Sequence, residues 1–293
     1  MNRIKEYFIR KKSEYAGSHR SYSIQMTISI SFTIVSVCSV CFLSIMLYQQ
    51  FVNKTKDITI ERTEQVLNQT AINLEDYLRN MRRISDAMYY TVIKDKDLGY
   101  ESMGEEMNLL YEANKDNLIS IACYTNEGML VAAAPVANQK ENLNVTQREW
   151  FREAVGQMEN FHFSTPHVQN LFDDPSYRYY WVISLSRAVE LTSNGKSALG
   201  VLLVDMNYSS IEQLLSKANK DNSSEYLYLM DSSGEIIYHP RQKLIYADLY
   251  QENNLEAVRY DDGSHEEVFD GERRLITVKT ISYTGWKIVS VTP

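Results

Sequence analysis

The stretch TQREWFREAV, Thr146 to Val155, sets two large rings, Trp150 and Phe151, side by side between Arg148 and Arg152. Neighbours on a helix lie about 100° apart, so both rings cannot enter one narrow apolar seam. They belong either to a broad core face or to the wall of a hole. Reaction chemistry is harder to find. His162 and His167 are metal-ligand types, but no third ligand stands at local spacing, so no metal is expected. Asp173 and Asp174 in LFDDPSYR read as solvated loop acids. A hydrolase with paired carboxylates needs two acids facing one substrate, and no local pattern marks such a pair. No nucleophile elbow of the Gly-x-Ser-x-Gly type occurs. The expectation is a binding protein, with no catalytic residue and no cofactor.

The elements that must position these residues begin with a membrane helix. Ile24 to Tyr48 carries no charge over 25 residues, which spans roughly 37 Å as a helix and suffices for a ~30 Å hydrocarbon core. The preceding tail, residues 1–23, holds Arg3, Lys5, Arg10, Lys11, Lys12 and Arg20 against Glu6 and Glu14. That excess of +4 marks the cytoplasmic side. The whole chain carries −8, so the part beyond the span carries −12. LYQQFVNK after the span is a poor cleavage site, and the span reads as a signal anchor. The expected protein therefore sits in the cell membrane with one span (24–48), and its bulk is extracytoplasmic. Its acidity excludes nucleic acid as a partner. Cys38 and Cys41 lie in the apolar run and Cys123 is alone, so there is no disulfide scaffold.

Beyond the span, Leu67, Ala71, Leu74, Leu78, Met81, Met88 and Val92 recur at steps of three and four, interrupted at Ser85. With no Pro or Gly from Val52 to Ile93, this predicts a long stalk helix over 49–95. Its narrow stripe fits packing on its own domain and packing against a second copy, so a homodimer through the stalk is expected. A short helix follows over Gly104 to Asn114. Then the period changes. LISIACYTNEGMLVAAAP and EYLYLMDSSGEIIYHP, 106 residues apart, share one grammar of strand, Gly-containing turn, strand and Pro. FHFSTPHVQ, YYWVISLSRAVE and ALGVLLVDMNY read as strands after the first hairpin. EEVFDG, RRLITVKTI and GWKIVSVTP do so after the second. Between them YSSIEQLLSKAN predicts a helix capped by Ser209 or Ser210, with Ile211, Leu214 and Leu215 inward. The fold class is α+β: two tandem antiparallel-sheet modules on one long helix.

In this order the motifs REWFREA, FSTPHVQ, WVISLSRAV, GVLLVDMNY and GWKIVSV resemble the double-Cache sensor domains of bacterial transmembrane receptors. YLRNMRRISDAMYYTVIKDKDL is similar to the stalk of YesM-type sensor histidine kinases. The resemblance covers essentially the whole chain. It implies two PAS-like Cache modules, membrane-distal over 96–220 and membrane-proximal over 221–293. It also implies the extracytoplasmic part of a two-component sensor histidine kinase whose kinase part is not in this chain. That makes the chain a fragment ending at Pro293 or a receptor without its output. The sensor of a chemotaxis transducer, or a membrane-anchored adaptor for another protein, are the alternatives.

Amino-acid-binding members carry Arg-x-Trp-Tyr, Pro-Tyr-x-Asp and a strand Asp. Here Arg148 and Trp150 match, Phe151 stands for Tyr, and Asp205 matches in GVLLVD. His167 stands for Tyr and Gln169 for Asp. The resemblance thus implies a ligand pocket of Arg148, Trp150, Phe151, His167, Gln169, Tyr180 and Asp205. Trp150 and Phe151 would wall it, Arg148 would reach a ligand oxygen, and Tyr180 rather than Trp181 would face it. With one carboxylate lost, a sugar or other small metabolite is favoured over an amino acid. Trp150 as a plain core ring, and Arg148 paired with Asp205 inside the fold, are the competing readings.

Overall fold

The structure, a computed structural model, describes residues 23–135, 138–141, 143–173, 179–219 and 225–293. The basic residues of the tail and Asp174 lie outside that set. The chain divides into a unit ending at Thr59 and a compact unit from Ile60 to Pro293. Helix α1 runs unbroken over Ile24–Ala87. Its first part, through Val52, is exposed throughout. Among the described residues it is the one helix long and apolar enough to cross a membrane.

Within the compact unit, every member of the stripe from Leu67 to Val92 is buried. The stripe packs into the unit's own core, which supports the first of the two packing readings. At Met88–Ile93 the helix widens into a π-helical turn, where one extra residue per turn re-phases the side chains. Ser85 is fully buried in the stripe, and its hydroxyl has no hydrogen-bond partner.

Helix α2 (Gly104–Asn114) precedes strands β1 (Leu118–Thr125) and β2 (Leu130–Ala134). Helix α3 (Glu149–Gly156) is followed by β3 (His162–Phe163), β4 (His167–Val168), β5 (Trp181–Ser193) and β6 (Lys196–Asn207). FHFSTPHVQ thus forms two short strands rather than one, because Pro166 removes a ladder donor between them. The antiparallel order is β2-β1-β6-β5-β3, with β4 also on β5. Gly128 turns the first hairpin at φ +82°, and a Cβ there would stand 2.8 Å from the side chains of Val145 and Thr146.

Helix α4 (Tyr208–Ala218) leads to the second sheet. Its cap is Asn207, whose side chain accepts from the Ser209 N–H at 3.0 Å. Neither Ser209 nor Ser210 serves, because the chain leaves β6 extended at Asn207 and turns helical one residue later. The second sheet holds β7 (Tyr226–Met230), β8 (Ile236–Tyr238), β9 (Gly263–Phe269), β10 (Glu272–Thr280) and β11 (Lys287–Thr292). Its order is β8-β7-β11-β10-β9, all antiparallel. Short helices α5 (Gln242–Tyr246) and α6 (Asn254–Ala257) connect β8 to β9. One core cluster takes the α1 stripe, Ile121, Cys123, Leu202 and Val204 of the first sheet, and Leu227, Leu229 and Ile288 of the second. Helix α1 therefore backs both sheets. Opposite faces carry their own clusters, around Tyr124, Trp150 and Phe151 in one sheet and Tyr228 and Val289 in the other.

Candidate functional site

The site starts from strand parity. Alternate residues face opposite sides of a sheet, so Ser120, Asp205 and Ser184 share the face turned away from α1. They stand directly opposite one another across β1, β6 and β5. Both serine hydroxyls donate to the Asp205 carboxylate, Ser120 at 2.6 Å and Ser184 at 2.5 Å. Asp205 is 1% exposed. Burial pushes its carboxyl above the ordinary value, opposed by the two hydroxyls and by nearby His167.

His167 is set by β4. Its Nδ1 lies 3.0 Å from the Thr165 carbonyl, which can only accept. That nitrogen therefore carries a proton, and Nε2 lies 3.3 Å from the Ser184 oxygen, whose hydrogen goes to Asp205. Ser184 thus stands between histidine and carboxylate. In a hydrolytic triad the histidine occupies the middle. This row can hold and polarise a ligand but lacks the geometry of an activated nucleophile.

Helix α3 supplies the facing wall. Arg148, at its N-cap position, has extended backbone (φ −70°, ψ 142°). The Trp150 carbonyl accepts from Ser186 at 2.8 Å, which pins the helix to β5. Between wall and sheet lies a cavity of about 340 Å³ that brings together Arg148, Trp150, His167, Gln169 and Asp205. Arg148 forms no ion pair among the described residues, so the Arg148–Asp205 pairing weighed from the sequence is absent.

Trp150 is both core and wall. It is 8% exposed, with its ring 5.6 Å from Tyr124 and 5.7 Å from Phe151. It also lines a neighbouring cavity of about 790 Å³, which reaches Tyr283 and Trp286 in the connection between β10 and β11 of the second sheet. The two rings of the opening stretch therefore divide the work. Phe151 is buried with Val145, Leu171 and Phe172 and does not line the Arg148 cavity. Tyr180 is outside that lining as well. It precedes β5, and its carbonyl accepts from the Gln169 N–H at 2.9 Å, so it orients the chain that carries Gln169. Trp181 opens β5 and stacks on Tyr246 at 6.0 Å.

Sequence reasoning missed Ser120 and Ser184. A usable signal existed: each is a hydroxyl inside an apolar strand, on the parity of Asp205. Of the metal candidates, His162 meets the Gln157 carbonyl and Glu153. Among the described residues no group of three His, Cys, Asp or Glu side chains could hold a metal ion.

Comparison with known proteins gives a family and a set of folds. Residues 51–293 match the family described as Cache domain. A Bacillus thuringiensis protein named probable methyl-accepting chemotaxis protein is 25% identical over 94% of this chain and 40% of its own length. The methyl-accepting chemotaxis protein TlpB of Bacillus subtilis is 22% identical over 68% of this chain and 26% of its own length. The chain thus spans well under half of these curated relatives. Among solved structures, the ligand-binding domain of the Pseudomonas aeruginosa amino-acid chemoreceptor PctC, in complex with GABA, superposes with a TM-score of 0.60. It is 17% identical, over 80% of this chain and 100% of that one. The ligand-binding domain of Campylobacter jejuni chemoreceptor Tlp3, in complex with 4-methylisoleucine, does so at 0.60 and 15% identity, over 80% and 91%.

Proposed function

Because this chain belongs to the Cache domain family, we propose that it is the extracytoplasmic sensing part of a membrane-anchored receptor, with a small solute bound in its distal module. In this reading the distal module covers residues 96–220 and the proximal module 221–293. The observation that carries it is the cavity shared by Arg148, Trp150, His167, Gln169 and Asp205. A filled face there would have favoured a protein-binding adaptor instead. For the output, both curated relatives are named chemotaxis proteins. This supports a chemotaxis transducer over the histidine kinase suggested by the stalk.

The solute is a polar metabolite, a sugar or small carboxylate, with an oxygen held by Arg148, which forms no ion pair among the described residues. The solved neighbours hold amino acids or their relatives. Here each Asp205 oxygen already accepts one serine hydroxyl, and Gln169 offers an amide. An α-ammonium would have to share the buried Asp205 with those hydroxyls, and the cavity's other acid, Glu149, stands on the helix wall. The test is a thermal-shift screen of the full chain in detergent against sugars, organic acids and amino acids, repeated with Arg148→Ala. A ligand at 100 times its Kd should stabilise by about 2.7 kcal/mol. That shift should vanish in the variant. If amino acids alone shift the protein, the metabolite assignment falls. If nothing does, the solute-sensor reading falls.

A further inference from the structure

The second sheet has a cavity of its own, of about 760 Å³, at the β7–β11 end beside α5. Its wall is prebuilt by a buried polar network. Glu252 accepts from the Tyr226 hydroxyl at 2.6 Å and from Tyr250 at 3.3 Å. Arg274 donates to Glu252 at 2.6 Å and to Glu267 at 2.5 Å. His239 lies 3.4 Å from the same Glu252 oxygen that the tyrosines use. These bonds hold two tyrosine rings in place and pair Arg274 with two carboxylates.

Arg241 is different. Its guanidinium rests 4.9 Å over Tyr250 and 5.7 Å from Tyr226, and it forms no ion pair among the described residues. Stacking on a ring holds a guanidinium's plane while its N–H edge stays open to an acceptor. Three carboxylates, Asp248, Asp270 and Glu272, line the same cavity and likewise form no ion pair among the described residues. Phe269 and Leu249 supply apolar surface.

The layout parallels the first module: a buried carboxylate held by hydroxyls, a histidine beside it, and on the cavity wall an arginine without an ion pair among the described residues. The balance differs. In the first cavity the buried acid is held by two serines and pairs with no arginine among the described residues. Here Arg274 satisfies the buried acid, and free charges of both signs remain on the lining.

We infer that this second cavity is a separate binding site for a small zwitterion, whose carboxylate meets Arg241 and whose ammonium meets the Asp248, Asp270 and Glu272 group. Neither the distal cavity nor its proposed ligand enters this assignment.

The test is arginine footprinting of the full chain in detergent. Phenylglyoxal modifies exposed guanidiniums, and peptide mass spectrometry reads each site. The probes are glycine, 4-aminobutyrate and 6-aminohexanoate, which vary the charge separation, with butyrate and n-butylamine as single-charge controls. At ten times its Kd, a bound zwitterion should slow modification of Arg241 about tenfold by mass action. Butyrate and butylamine should protect far less at equal concentration. Protection should persist in Arg148→Ala, which separates it from events in the first cavity. Three results overturn the proposal. One is no protection of Arg241 by any zwitterion. Another is equal protection by butyrate, which would make this a plain anion site. The third is protection lost in Arg148→Ala, which would make it a relayed effect of distal binding.

Discussion

Asp205 gathers the chemistry of the first cavity at one atom pair. Its carboxyl is raised by burial, so between its unfolded and folded values the native state binds more protons than the unfolded chain. Stability therefore falls as pH rises through that window, and the full penalty stands above the folded value. Asp205→Asn keeps an acceptor for one serine and a donor for the other while removing the charge. It should be more stable than the parent near neutral pH in denaturant melts, and the advantage should fade as pH falls toward the unfolded carboxyl range. An advantage that is constant with pH would show that packing rather than charge decides it. Arg148, Trp150 and Asp205 were legible because their residue types and order carry a motif. Phe151 was placed in the cavity by the same motif and Tyr180 by its alternation with Trp181 on a strand, but neither lines it. Which neighbour on an eight-residue helix faces the hole depends on the helix's roll against the sheet. That roll is set by long-range bonds such as Ser186 to the Trp150 carbonyl, which local spacing does not encode.

At the scale of elements, α1 was the most legible part of the chain. Its period of three and four is a local property, and each stripe residue named from the sequence is buried. The interruption at Ser85 was legible too, and the structure gives it a cost. A buried hydroxyl without a partner forfeits its hydration at about 1–3 kcal/mol. Ser85→Ala should raise stability by about 1 kcal/mol, read from the urea midpoint at unchanged slope. A loss instead would mean that the hydroxyl has a partner or a water in solution. The π-helical turn that follows, Met88–Ile93, carries no Gly or Pro to announce it. It arises where the helix must continue against α2 and β5, and such tertiary demands leave little trace in a periodic pattern. The Asn207 cap was missed for a related reason. Asn, Ser and Ser stand within four residues there, and where β6 stops decides which of them caps α4.

At the scale of the whole molecule, the two sheets hold buried acids of opposite character. Glu252 is held down at about 2: burial opposes this, but bonds from His239 and Tyr226 and the charge of Arg274 outweigh it. A depressed carboxyl contributes stability above its unfolded value of 4.5, and that contribution is lost as pH falls toward about 2. The difference corresponds to about 3 kcal/mol. Asp205 moves the other way. Hydrogen exchange followed down through that acid range should therefore show β7 to β11 losing protection before β1, β5 and β6. Simultaneous loss would mean that the compact unit opens as one piece. None of the Glu252 network was legible. Its members come from positions 226, 239, 250, 252, 267 and 274, on separate strands and loops, and only the closed sheet brings them together. The repeated hairpin grammar, by contrast, disclosed two sheets because each turn is a local event.

The buried stripe on α1 also limits how that helix can move against the sheets it backs. Turning it by one residue would drive Glu75 or Arg79, which flank the stripe and pair with each other at 3.7 Å, toward apolar ground. Sliding it along its axis by about one turn, 5.4 Å, instead brings Ala71 to the former level of Leu74 or Leu67, and Leu78 to that of Leu74 or Met81. The seam is nearly commensurate with itself under translation and incommensurate under rotation. As a mechanical part, α1 is a ratchet bar rather than an axle, with discrete rest positions one helical turn apart.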